Sequence, residues 1–279
     1  MPELDPAAAV DEWWGLDFIE RSGQTGGFVR LSRVGDRCWY WAYLVGPAVG
    51  LVVVRDHDVP APRRSGILEV RADSLWAELV CEQPGEHWGF ALEAFGVRLD
   101  AVRDAWPRDV VEVGERLPVG FDLEWEVVEK AAVEGAGTVH GELLLARDTV
   151  AVDGFGLLRH VTAPRPPWSE EWQGWCRLAG GRWSGIVDVR AAPSADDVLE
   201  PRTGRLDDGT TVRCEALAVA PVPITHEPAG RATALVRVLT VVRPEEDRPS
   251  KGGSGFAPLM GCGWLDVLQS RQPGRSDEP

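Results

Sequence analysis

Tyrosine and lysine are almost absent from this 279-residue chain: two tyrosines stand beside thirteen tryptophans, and two of the 29 basic residues are lysines. No apolar run approaches the roughly 18 residues that cross a bilayer as a helix, so an integral membrane protein is not expected. The first residues are acidic (Glu3, Asp5, Asp11, Glu12) where a secretory signal is basic and then apolar, so no export signal is read and the expected location is the cytoplasm. Five cysteines (Cys38, Cys81, Cys176, Cys214, Cys262) are an odd number, widely scattered, and contain no C-x-x-C pair. They are therefore read as reduced and structural rather than as zinc or redox ligands. A G-x-S-x-G elbow, a P-loop, an H-E-x-x-H pair and a dinucleotide fingerprint are all missing, which disfavours the corresponding hydrolase, nucleotide and zinc-protease chemistries. The net charge of −15, with no basic run to interrupt it, opposes nucleic acid as a partner.

What is present is dense punctuation between short apolar runs. Breaks fall at Gly23 to Gly27, Gly35-Asp36, Gly46-Pro47, Pro60 to Pro62, Pro84-Gly85, Pro118 to Gly120 and Gly135 to Gly137. Between them, Phe28 to Val34, Arg37 to Val45, Gly50 to Arg55, Ile67 to Arg71, Leu75 to Glu82, His87 to Leu99, Phe121 to Val128, Val139 to Leu145 and, later, Arg231 to Val242 alternate or are rich in Val, Leu, Phe and Trp. That spacing predicts an all-β sandwich or barrel, with helical character only around Asp100 to Trp106. The stiff Ala163-Pro164-Arg165-Pro166-Pro167 segment suits a connection between two units. The expected division is therefore an N-terminal β unit over 1–163, a C-terminal β unit over 168–270 and a disordered tail over 271–279. Ala191 to Asp208 reads as a long loop and Glu245 to Gly255 as a mobile one.

Tryptophan offers a large apolar surface with one donor, which serves equally as core or as the wall of a pocket for a greasy ligand. In Cys38 to Val45 the period of two puts Trp39, Trp41, Tyr43 and Val45 on one face. Trp39, Trp41, Trp88 and Trp125 are the candidate pocket walls, with ordinary packing as the other reading. Asp122, Glu124 and Glu126 share the face opposite Phe121, Leu123 and Trp125, as solvated acids do. Glu86, by contrast, falls on the face of Trp88, Phe90 and Leu92, where a carboxyl beside apolar surface would have a raised pKa and could act as an acid.

Five histidines can be taken singly. His57, between two acids ahead of a proline loop, and His226, before a proline in a loop, both read as exposed. His140 shares a face with Glu142, opposite Val139, Leu143 and Leu145. His160 follows the Gly-rich Gly154-Phe155-Gly156 turn. For each, a hydrogen-bonded structural imidazole is the alternative to catalysis. No spacing of His and carboxylates argues for a metal.

Several short runs carry a resemblance: Glu12-Trp13-Trp14, Thr25 to Leu31, Trp39-Tyr40-Trp41, Val54 to Pro60, Cys81 to Trp88, Leu117 to Glu126, Val139 to Glu142 and Asp153 to Gly156, with an echo at Gly261 to Asp266. Together they resemble the lipocalin-like carotenoid 1,2-hydratases (hydroxyneurosporene synthases) and, more distantly, fungal Diels-Alderases. The resemblance implies two packed lipocalin-like antiparallel β-barrel or sandwich units, a hydrophobic pocket for a polyene, terpenoid or polyketide, and no bound cofactor. Members of that group commonly follow the Gly-rich turn with Asp-His-Ser-Trp-Gly; here only His160 and a later Trp168 match.

The expected function is thus a cofactor-independent cyclase or isomerase of natural-product biosynthesis, which works by holding a reactive conformer against aromatic walls and leaves no motif. His160, Glu86, His140, Glu142 and Tyr43 are its candidate acids and donors. The alternatives are a non-catalytic carrier or sensor of a hydrophobic molecule, and an isoprenoid hydratase or dehydratase.

Overall fold

The computed structural model describes residues 12–62, 67–100, 114–128, 134–162, 173–178, 181–187, 189, 201–226, 232–244 and 261–271. Among them are sixteen strands and no helix. The first ten are β1 (Glu12–Glu20), β2 (Gly26–Val34), β3 (Arg37–Gly46), β4 (Gly50–Pro60), β5 (Ile67–Ala72), β6 (Leu75–Gln83), β7 (His87–Leu99), β8 (Glu115–Val127), β9 (Ala136–Leu145) and β10 (Asp148–Val161). The other six are β11 (Gln173–Leu178), β12 (Trp183–Val187), β13 (Arg202–Leu206), β14 (Thr211–His226), β15 (Ala232–Pro244) and β16 (Gly261–Arg271).

All described pairings are antiparallel and they form two closed barrels. The first runs β4-β3-β2-β1-β10-β9-β8-β7 and is closed by β4 against the end of β7, from Leu51↔Leu99 to Val53↔Val97. β6 and β5 continue outward from the earlier half of β7 as a hairpin flap. The second barrel is β11-β12-β13-β14-β15-β16. Closure satisfies the edge N–H and C=O groups that an open sheet would present to water, which is the physical advantage of this architecture.

The strands expected from alternation lie where the alternation placed them, and His87 to Leu99 coincides with β7. Three expectations are corrected. Residues 202–206, inside the stretch read as a long loop, form β13. His226 ends β14 opposite Ala232 rather than lying in a loop. β16 extends to Arg271, paired with Ala232, one residue into the stretch 271–279 expected to be disordered. The helical expectation over 101–106, the proline-rich connection at 163–167, and 245–255 lie outside the described residues.

The cores explain where the tryptophans go. Inside the first barrel, Trp14, Leu16, Phe18, Leu31, Tyr40 and Trp125 belong to one buried cluster. A second cluster lies between the barrels. It joins the outward faces of β1 to β4 and β10 (Ile19, Phe28, Trp39, Trp41, Tyr43, Phe155) to the outward face of the second barrel (Trp175, Trp183, Leu239, Trp264). A third, with Cys176, Ile186, Val212, Cys214 and Val238, fills the second barrel. Five tryptophans thus bury their rings in the seam, and each such ring withdraws about 150–250 Å² from water, roughly 4–6 kcal/mol before ordering costs.

At the centre of the seam sits a charged lock. Arg237 donates through Nη1 to Asp17 Oδ1 at 2.6 Å and through Nη2 to Oδ2 at 2.8 Å. The Arg237 guanidinium also lies 4.4 Å from the Phe28 ring centroid and 5.2 Å from that of Trp264. The indole N–H of Trp264 donates to the Phe18 carbonyl at 3.0 Å, so both barrels are tied by directional bonds as well as by area. Burial alone would raise the Asp17 pKa. The Arg237 charge and hydrogen bonds, aided by Arg159 and Arg30, outweigh it and hold the carboxyl well below the usual range.

Candidate functional site

The residues singled out in the sequence divide between three places. Trp39, Trp41 and Tyr43 face outward from β3 into the seam, where Trp39 and Trp41 lie 6.2 Å apart and Tyr43 stacks on Phe28 at 4.7 Å. The Tyr43 hydroxyl accepts a hydrogen bond from Arg55 Nε; burial raises its pKa, partly offset by that arginine. Trp88 and Trp125 face the other way: they are opposite one another on β7 and β8, with Trp125 in the first barrel's interior and Trp88 packed against it. The four tryptophans therefore line two surfaces, the inside of one barrel and the seam, rather than one.

Glu86 occupies the exposed turn between β6 and β7, bonded to the Gln83 amide. His140 and Glu142 are exposed on the outward face of β9, with His140 Nδ1 3.3 Å from Asp153. Neither position contacts the interior cluster. The free thiols of Cys38, Cys176, Cys214 and Cys262 are buried, and burial pushes them up to about 11 or 12, so they are inert packing groups.

His160 is placed differently. Consecutive ladder pairs, Tyr40↔Leu31, Leu31↔Trp14 and Trp14↔His160, run as one row across β3, β2, β1 and β10 on the inward face. His160 ends that row at the rim. Its ring stacks on Trp14 at 5.0 Å and 14°, and its Nε2 lies 2.7 Å from Glu12 Oε1. Donation from Nε2 to the carboxylate leaves Nδ1 as the nitrogen able to exchange a proton with a bound molecule. This is an oriented base held by a carboxylate and an aromatic plate, partly open to solvent at 41% side-chain exposure for the histidine.

At the other end of the same row, the Tyr40 hydroxyl is wholly buried and has no hydrogen-bond partner among the described residues. Burial pushes its pKa far above the ordinary phenol range, so it stays protonated and able to donate. The Trp125 indole N–H is buried and unpartnered as well. It lies so close to Gly137 that a Cβ there would come within 2.2 Å of the indole nitrogen, so the glycine is what lets this ring lie across β9. Buried donors without acceptors are rare in folded proteins, because each forfeits its bond to water. Glu12, Trp14 and Tyr40 were not singled out in the sequence as chemistry-bearing; the period of two that puts Glu12 and Trp14 with Leu16, and Tyr40 with Cys38 and Ala42, was the available signal, but it fits core packing equally well.

The described residues thus define a double-barrel β protein whose first barrel carries an apolar interior with two unused donors and an oriented histidine at its rim. No family profile matches the chain, and no curated protein matches it. Among solved structures, kievitone hydratase from Nectria haematococca is 8% identical, with 97% of this chain and 94% of that one covered at a TM-score of 0.41. A candidate AttH from Nitrosomonas europaea is 14% identical, with 92% and 91% covered at a TM-score of 0.35. At this distance the fold assignment stands on the strand pairings themselves.

Proposed function

We propose that the chain encloses an apolar small molecule bearing an acceptor oxygen inside the first barrel, and transforms it in the cytoplasm as a cofactor-independent cyclase or isomerase of natural-product metabolism. The observation that carries this reading is the pair of buried, unpartnered donors, Tyr40 Oη and Trp125 Nε1, on the interior of that barrel. An acceptor oxygen of a bound molecule would satisfy either of them, and a donor aimed at such an oxygen stabilises charge that develops on it. His160, oriented by Glu12 and Trp14, supplies proton exchange at the rim.

A second reading, a non-catalytic carrier, is favoured by one feature: among the described residues, the buried charged ones (Asp17, Arg30, Arg202 and Arg237) lie on the outward face of the first barrel's strands or in the second barrel. An interior whose described lining carries no buried charge suits storage as well as conversion.

β-Ionone, an apolar ketone, titrated against the protein by tryptophan fluorescence tests the reading. Saturable binding is expected, weakened by Tyr40→Phe roughly 3- to 10-fold, the scale of one neutral hydrogen bond. The corresponding hydrocarbon should bind equally to both proteins. If the ketone does not bind, or Tyr40→Phe is without effect, the donors do not serve a ligand. For any substrate so identified, His160→Ala lowers turnover and leaves affinity nearly unchanged if the protein is an enzyme; unchanged turnover favours the carrier.

A further inference from the structure

The seam holds a second group of unused donors, distinct from the barrel interior. On the outward face of the second barrel, Trp175 and Arg177 are two residues apart on β11, and Trp183 stands directly opposite Arg177 on β12. The Trp175 and Trp183 ring centroids are 5.3 Å apart, and the Arg177 guanidinium lies 5.3 Å from the Trp183 ring and 4.5 Å from that of Phe155. Four N–H groups of this cluster are buried without an acceptor among the described residues: Trp175 Nε1, Trp183 Nε1, and Nε and Nη1 of Arg177. Indole and guanidinium only donate, so these groups cannot satisfy one another.

Arg237, elsewhere in the same seam, shows what an arginine here ordinarily has, a bidentate carboxylate from Asp17. Arg177 has the aromatic setting without the carboxylate. The neighbouring Arg21, 4.7 Å from the Phe155 ring, is already bonded to Asp153 at 3.0 Å and adds positive charge rather than an acceptor. Gly181, at φ 91° after β11, would with a Cβ stand 2.9 Å from Arg177 Nη2, so a glycine at this position keeps a side chain off the guanidinium.

We propose that this part of the seam, beside Arg177, binds the carboxylate of a small apolar acid. One guanidinium fork matches one carboxylate, the two indole N–H groups add donors, and the Phe155, Trp175 and Trp183 rings accept the apolar body. Burial, reinforced by the Arg21 charge, lowers the Arg177 pKa, and an anion would relieve that penalty. One guanidinium fork with aromatic walls, its neighbour Arg21 already paired with Asp153, suits a monoanionic carboxylate rather than phosphate.

The test uses the full-length ¹⁵N-labelled protein, with the indole N–H signals of Trp175 and Trp183 assigned through Trp175→Phe and Trp183→Phe. Titration with 3-phenylpropanoate should move both signals downfield saturably, while 3-phenylpropanol and inorganic phosphate leave them in place. Arg177→Gln should weaken the acid about 10- to 100-fold, the range for losing a charge-assisted bond. Arg177→Lys, which keeps the charge without the fork, should fall between, and serves also if the glutamine variant does not fold. The proposal is overturned if the acid moves neither signal, if the alcohol or phosphate moves them as far, or if both Arg177 variants titrate like the parent protein.

Discussion

Removing either partner of the Asp17–Arg237 pair should cost far more than removing both. The side chains are 6% and 2% exposed and joined by two bonds of 2.6 and 2.8 Å. Asp17→Leu leaves the Arg237 guanidinium without its carboxylate, and Arg237→Met leaves the Asp17 carboxylate with only the charges of Arg159 and Arg30 nearby. Breaking a buried pair in this way costs about 3–5 kcal/mol, because the remaining charge has lost water and its bidentate partner. The double variant Asp17→Leu with Arg237→Met removes both charges and fills similar volume. It should lie within about 1–2 kcal/mol of the parent, giving a coupling of several kcal/mol in the double-mutant cycle. Urea unfolding followed by tryptophan fluorescence reads all four proteins, since Trp264 sits against the pair. The pH dependence has a fixed sign. A carboxyl whose folded pKa is depressed contributes stability that is complete above its unfolded value, near 3.9, and is lost as pH falls toward the folded one. The parent should therefore lose stability relative to the double variant only below about pH 4. Single variants each costing under about 1 kcal/mol, or a double variant as unstable as the sum of the two, would show that the barrels do not close over this pair in solution.

Two further variants test the packing. Trp41→Ala should lower folding stability by about 3–5 kcal/mol in urea unfolding while leaving β-ionone affinity unchanged, because its ring fills the seam and not the barrel interior. Gly137→Ala should destabilise by roughly 1–3 kcal/mol, since its Cβ meets the Trp125 nitrogen at 2.2 Å and the Glu126 carbonyl oxygen at 2.4 Å, and it should displace that indole; an unchanged thermal midpoint and Trp125 spectrum would contradict the placement of the ring.

The strands were legible because turn residues and a period of two mark them whatever the tertiary arrangement. The sidedness of β1 to β3 was not. A strand with one wet face shows which side is the core, as β8 does with exposed Asp122, Glu124 and Glu126 against Leu123 and Trp125. In β3 both faces are buried, one by the barrel and one by its neighbour, so Cys38, Tyr40, Ala42 and Leu44 compete with Trp39, Trp41 and Tyr43 for the name of interior. The bulkier set was read as the candidate pocket wall, and it is the one that meets the second barrel. β13 was hidden because Arg202 and Gly204 occupy inward positions beside Leu206, and β14 because Pro221 and Pro223 interrupt its run. His160 was visible as a candidate, but Glu12, 148 residues away in sequence, becomes its partner only through the β1–β10 pairing.

The central claim, that the first barrel's interior rather than the seam receives the neutral apolar ligand, is tested most directly by ¹⁹F NMR of protein carrying 5-fluorotryptophan, titrated with β-ionone. The signals of Trp14, Trp88 and Trp125, on the barrel interior, should shift together and saturate, while those of Trp39, Trp41, Trp175, Trp183 and Trp264 stay fixed. Shifts confined to the seam tryptophans, or none at all, would contradict it.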